Sequence, residues 1–380
     1  MNILFYLTRF PGIGGIETVT WQIIKQLTQK AEYHIDIISH RQQTIKTEEC
    51  ISGFTLFRMP NDKYWLACEN ISFANEIVKK GNYNVIIYQD SYAPTEKIVC
   101  QLSYENKIPL IVFEHNSPLF IYNKRELTPW WSLKGCLRRI LHPYLLYKEK
   151  KRKRMLLRHA FRYVLLSETY IPEFCNFINF HNNGKVIYIN NPVRLSSIEV
   201  SCSKENILLY VGRLVVEKGV DKMLYVWNEI SKNLSADQNW QFVIVGDGVE
   251  RFRLEKLAKS LQLRNVIFEG FQNPKSYYER AKIFFMMSKY EGWGLTLCEA
   301  MTQGVVPIVL NSFSAAQDLI KDGYNGYLVS DKKDFYHHLL QLINNPYQLI
   351  EMSNNAIEQS KKYNISNIIP HWEALLAKCR

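Results

Sequence analysis

A chain of 380 residues with a formal net charge of +11 is too long for one ordinary domain and suits two of about 150–200 residues, each able to bury a core. Its longest apolar stretches, such as 283–287 and 305–310, fall far short of the roughly 20 residues needed to cross a bilayer, and residues 1–7 lack the cationic leader and cleavage site of a signal peptide. The eight cysteines are scattered without C-x-x-C or Cys/His metal spacing, which argues against a disulfide scaffold or zinc module and suits reduced thiols in a cytoplasmic protein.

In chain order, short apolar runs at 3–7, 34–39, 54–59, 85–88, 109–113, 163–166 and 185–189 read as strands, with helical segments between several of them. Such alternation predicts an α/β fold with a doubly wound parallel sheet. The loop PGIGGIETV at 11–19 follows the first strand, so Gly14 and Gly15 would let backbone approach a cleft. It departs from a dinucleotide fingerprint: the sixth position is Glu17, and no acidic residue ends the second strand. His115 lies in the run PLIVFEHNS after a further strand; from spacing alone a hydrogen-bonded structural residue is the better reading.

Between Lys124 and Arg158 lie twelve Lys or Arg and two Glu, a net +10 that is nearly the whole surplus. Trp130, Trp131, Leu133, Leu137, Ile140, Leu141, Tyr144 and Leu145 recur there at mostly three- and four-residue steps among Lys134, Arg138 and Arg139. A basic amphipathic helix of this kind suits an anionic membrane surface. Equally, its stripe could pack on the N-terminal sheet with its charges solvated. No nucleic-acid-binding motif accompanies it.

A Ser-rich stretch without periodicity at 191–205 reads as a linker. Strands then restart at 207–211, 242–245, 266–268, 283–287, 305–309 and 327–329, followed by helices to the end. The predicted organisation is an N-terminal domain at 1–190, a C-terminal domain at 206–362 and a last helix at 363–380.

The segment SKYEGWGLTLCEAMTQG at 288–304 leaves a strand, turns through Gly292 and Gly294 and enters a helix. The amides of Trp293, Gly294, Leu295 and Thr296 would lie at a helix N-terminus, where backbone N–H groups favour phosphate. Glu291 and Glu299 would stand about 10 Å apart, enough to flank a diphosphate. Each carboxylate can accept two hydroxyl protons, so Glu299 suits a ribose diol and Glu291 a sugar. GRLVVEKG at 212–219 adds Arg213 and Lys218, cations able to stabilise a departing diphosphate. No D-x-D pair exists to hold a divalent metal, so metal-independent chemistry is expected.

GRLVVEKG, VGDG at 245–248, FEGF at 268–271 and EGWGLTLCEAM at 291–301 come in the order and spacing that resemble glycosyltransferase family 4. The two glutamates with seven residues between them, closed by Glu-Ala-Met, are the specific part; the match is strong over 206–329 and patchy earlier. That resemblance implies the GT-B fold, with two Rossmann-like domains facing a cleft and a C-terminal helix crossing back to the N-terminal domain. It implies a retaining hexosyl transfer from a nucleotide-diphosphate sugar, such as a UDP-sugar, to a glycan or lipid-linked acceptor, as in lipopolysaccharide, O-antigen or capsule assembly on the cytoplasmic face. Arg213 and Lys218 would hold the diphosphate, Glu299 the ribose and Glu291 the donor sugar. Gly14, Gly15, Gly246, Phe271, Gly292, Trp293, Gly294, Leu295 and Thr296 would line the donor, and His115 would face the sugar or acceptor. Val-Val-Pro at 305–307 and Gln317-Asp318 depart from the family pattern beyond this loop. The rival from another class is a nucleotide-binding membrane scaffold without catalysis. A phosphorylase of the same fold would need a lysine-bound pyridoxal phosphate, for which there is no local signature.

Overall fold

The structure is a computed structural model that describes residues 1–12, 14–41, 48–51, 53–90, 94–124, 133–193, 204–234 and 238–379. Trp130, Trp131 and most of the expected linker therefore lie outside the described residues. The chain divides into two units, Met1–Pro192 with Ile365–Arg380, and Val193–Asn364.

In the first unit the apolar runs form β1 (Asn2–Arg9), β2 (His34–Arg41), β3 (Glu48–Ile51), β4 (Phe54–Arg58), β5 (Val85–Asp90), β6 (Leu110–Glu114), β7 (Ala160–Leu165) and β8 (Val186–Tyr188). They join in the order β3-β4-β2-β1-β5-β6-β7-β8, all parallel except β3. The inner strands are covered on both faces, so they carry unbroken apolar runs in place of alternation: residues 3–7 of β1 and all of β6 are buried. β3 gives no such signal. Its sequence, EECI, alternates exposed and half-buried at the sheet edge, where little apolar surface is needed.

The last helix, Ile365–Ala377, belongs to this first unit. Trp372 is fully buried and stands edge-on to Phe113 of β6 at 5.0 Å, while Glu373 pairs with Lys30 at 2.5 Å. The helix His142–His159 also packs here. It turns Lys153 inward to a buried ion pair with Glu114, whose other oxygen accepts from Tyr163 Oη at 2.6 Å. The basic run is thus not uniformly solvated.

The second unit is β9 (Ile207–Val211), β10 (Gln241–Val245), β11 (Val266–Gly270), β12 (Ile283–Met286), β13 (Val306–Leu310) and β14 (Tyr327–Val329). All are parallel, in the order β11-β10-β9-β12-β13-β14. Trp227, Phe242, Phe285 and Phe335 fill the core on one side of this sheet. Val193 N–H donates to Tyr363 O at 2.8 Å, so the strip just after Pro192 is tied into this unit.

Candidate functional site

Open parallel sheets bind ligands at the carboxyl ends of their strands, where strand order reverses. In the second unit the reversal falls between β9 and β12, and the loops leaving these two strands hold GRLVVEKG and EGWG.

After β9, Gly212 donates to Val245 O at 3.0 Å and Leu214 to Asp247 O at 2.9 Å, which laces the loop to the end of β10. The backbones approach too closely for a side chain: a Cβ on Gly246 would lie 1.9 Å from Gly212 O. A short turn, Val216–Lys218, then reaches Gly219, where φ is +65° and a Cβ would lie 2.4 Å from Met287 O. Lys289 N–H donates to Glu217 O at 2.7 Å. The loop after β9 is thereby braced on the loop after β12. This brings Lys218 Nζ to 2.5 Å from Glu291 Oε1, with both side chains mostly buried. Arg213 is exposed, and its guanidinium has no carboxylate partner among the described residues.

Gly294, with φ +94°, opens the helix Leu295–Thr302, which has no side-chain cap. The N–H groups of its first turn, those of Leu295 and Thr296 included, are the ones a helix leaves without intrahelical acceptors. Glu299 follows on the same helix, half-buried, and accepts from Tyr278 Oη at 2.9 Å. Burial pushes the Glu299 carboxyl above the usual carboxylate value, partly opposed by that hydrogen bond. Tyr278 lies within YYER on the helix Lys275–Arg280, and nothing in the sequence marks it. Only the fold brings it to Glu299.

Two residues from the motifs differ in direction. Trp293 is 2% exposed and stands edge-on to Tyr363 at 5.0 Å, so its side chain serves the core and only its backbone is left for a ligand. Phe271, after β11, is 68% exposed. Val249 and Phe252 are also exposed, and a Cβ on Gly270 would lie 2.8 Å from the Arg251 guanidinium. The loop carrying Phe271 and the helix carrying Phe252 are therefore neighbours.

The remaining expected residues lie in the first unit. Gly14 precedes the helix Gly15–Leu27 in extended backbone, and a Cβ there would meet Glu17 Oε2 at 2.3 Å. The carboxylate of Glu17 already stands over this helix N-terminus, which opposes a second anion there. His115, just past β6, is buried; its Nε2 hydrogen-bonds Gln89 Oε1 and its ring lies 4.4 Å from that of Phe113. Burial lowers its pKa to about 3, so the imidazole is neutral near pH 7. Gln89, at the end of β5, is fully buried, and its partnership with His115 was not readable from sequence.

The family model described as Glycosyl transferases group 1 matches residues 195–363, and Glycosyltransferase Family 4 matches residues 13–197. An uncharacterized glycosyltransferase of Haemophilus influenzae is 33% identical over 387 residues, covering 99% of each chain. A Campylobacter jejuni enzyme, GalNAc-alpha-(1->4)-GalNAc-alpha-(1->3)-diNAcBac-PP-undecaprenol alpha-1,4-N-acetyl-D-galactosaminyltransferase, is 29% identical over 402 residues, covering 100% of this chain and 99% of its own. Among solved structures, Anabaena HepE in complex with UDP-glucose matches with a TM-score of 0.73 over 100% of both chains, at 16% identity. The pair of parallel, Rossmann-like sheets is the GT-B architecture.

Proposed function

The chain belongs to the glycosyltransferases, with family 4 and group 1 domains, and from that premise we propose that it is a retaining, metal-independent hexosyltransferase using a UDP-sugar. The acceptor is a lipid-linked glycan of surface polysaccharide assembly. The observation that carries this reading is the cluster at the β9/β12 reversal: Lys218 held on Glu291, Arg213 exposed, and Glu299 one glycine turn away. Similarity to a relative named for an undecaprenol-pyrophosphate glycan supports the acceptor class, and the shared fold with HepE supports a uridine diphosphate donor.

The chemistry follows from the side chains. Arg213, Lys218 and the first-turn amides of the helix Leu295–Thr302 stabilise the negative charge that grows on the departing diphosphate. Two cations and a helix N-terminus supply there what a divalent metal supplies in other transferases. Glu299 accepts the ribose hydroxyls through the oxygen that Tyr278 leaves open. Glu291, released from Lys218 as the diphosphate takes its place, orients the sugar hydroxyls. The incoming hydroxyl attacks on the face the leaving group vacates, and a diphosphate oxygen removes its proton.

A thermal-shift screen of nucleotide-diphosphate sugars tests the donor, because a ligand at a hundred times its Kd adds about 2.7 kcal/mol to stability. The stabilising donor is then assayed for transfer to undecaprenyl-pyrophosphate glycans with and without a chelator. Transfer that disappears with the chelator refutes metal independence. Donor binding without transfer or slow donor hydrolysis points to the non-catalytic scaffold.

A further inference from the structure

The helix Lys275–Arg280 has only six residues, far below the about 12–15 at which a helix holds by itself, so contacts from outside must fix it. Two residues from no motif of the donor loops do this. Lys204 Nζ donates to Ala281 O at 2.7 Å and to Tyr278 O at 3.3 Å. Glu205 N–H donates to Arg280 O at 2.8 Å, and the Glu205 carboxylate accepts from Arg280 Nε and Nη2 at 2.6 and 2.8 Å. Three carbonyls at the helix end, of the kind that find no intrahelical donor, are thereby capped by the last two residues of the expected linker. Lys204 is half-buried, and its ammonium gives up enough hydration for its pKa to fall to about 8 despite the opposing charge of Glu279. A lysine left in solvent would carry no such cost.

The helix end matters because of what it carries. Tyr278 is 4% exposed, and its Oη donates to Glu299 Oε2 at 2.9 Å. Burial disfavours the Glu299 carboxylate, and this hydrogen bond opposes that effect. Among the described residues no cation forms an ion pair with Glu299, so Tyr278 is the group that keeps it ionised and leaves Oε1 open. Hydrogen bonds weaken steeply as their angle closes, so a tyrosine on a loosened helix end would lose this one. We infer that Lys204 is a positioning residue: by clamping the Tyr278 and Ala281 carbonyls it holds the Tyr278 hydroxyl on Glu299, and so fixes which carboxylate oxygen is presented to a ligand diol. The inference deepens the reading of Glu299 as the ribose carboxylate and rests on that reading for its consequence in binding.

The test is a carbon-13 NMR titration of the glutamate carboxyls in the full chain, with the Glu299 signal assigned by its loss in Glu299→Gln. Lys204→Met should raise the pH at which Glu299 ionises, as Tyr278→Phe does, and the double variant should raise it no further than Tyr278→Phe alone. Lys204→Gln keeps an N–H donor for the helix end; it should shift the titration less and guards against a variant that does not fold. Calorimetry reads the consequence. Lys204→Met should weaken UDP binding about three- to tenfold, the worth of one hydrogen bond, and leave 2′,3′-dideoxyuridine diphosphate, which lacks the diol, unchanged. A Glu299 titration unmoved by Lys204→Met, or a shift that adds in full to that of Tyr278→Phe, overturns the inference. Equal binding of UDP and the dideoxy compound by wild type refutes the ribose reading alone, and the NMR shift still decides the clamp.

Discussion

Replacing Glu291 by Gln separates the two roles that the proposed mechanism gives one carboxylate. In the unliganded protein it neutralises Lys218 at 2.5 Å, in a setting where both side chains keep under a fifth of their exposure. A charged hydrogen bond of this kind contributes about 1.5–3 kcal/mol, and a donor diphosphate must compete with it for the ammonium. Removing the negative charge releases part of that sum, so UDP alone should bind up to about tenfold tighter, a gain of about 1.4 kcal/mol. The transferred sugar, however, loses its oriented acceptor. By analogy with removal of one stabilising group at a reacting centre, kcat should fall about 10²- to 10³-fold, or about 2.7–4 kcal/mol. Calorimetric titration with UDP and with UDP-sugar, beside a transfer assay, measures both. UDP binding weakened tenfold with kcat unchanged would refute the division of roles.

Tyr278→Phe removes the hydrogen bond that favours the ionised form of Glu299, so the carboxyl should rise further above its usual value. In the proposed mechanism donor binding needs the carboxylate, so affinity should fall as pH drops, and UDP titrations should find the variant losing affinity at a higher pH than wild type. Gly246→Ala should destabilise the second unit by about 3–5 kcal/mol in urea melts, because its Cβ cannot coexist with Gly212 O. Gly294→Ala meets nothing closer than 3.5 Å and should cost only the about 1–2 kcal/mol of a left-handed alanine. His40 and His115 are buried neutral, with pKa values lowered to about 4 and about 3. The unfolded chain therefore takes up their protons first, and stability present above pH 6.5 is lost as pH falls toward those values, by up to about 1.4 kcal/mol per unit for each histidine. Acid titration of unfolding should show that slope for the first unit, and His40→Gln should reduce it.

The sheets and the loops that form the candidate site were legible because both depend on local chemistry. Buried parallel strands need unbroken apolar runs, and loops that pass backbone against backbone need glycine. β9 and β14 have the expected limits of 207–211 and 327–329 for the first reason. Gly219 and Gly246 stand where they do for the second. The edge strand β3 escaped because an exposed antiparallel edge makes neither demand.

What could not be read is which charges meet. Lys218 and Glu291 are 73 residues apart, Tyr278 and Glu299 21, Lys153 and Glu114 39. Each pair depends on a crossover that brings two strand ends or a helix face together, and no local pattern records that. The run KEKKRKR at 148–154 makes the point most directly: its composition states an excess of positive charge and nothing more. The helical repeat turns Lys153 inward, where leaving Glu114 unpaired would be strongly unfavourable, and turns Lys148 and Lys151 outward beside Tyr144 and Tyr147. One residue type in one run thus stands in two unrelated settings. Lys153→Met should destabilise the first unit by about 3–5 kcal/mol in urea melts, because it leaves Glu114 buried without its cation, while Lys151→Glu on the exposed side should shift stability by no more than about 0.5 kcal/mol. If both variants melted alike, the helix would not have the two independent faces assigned to it.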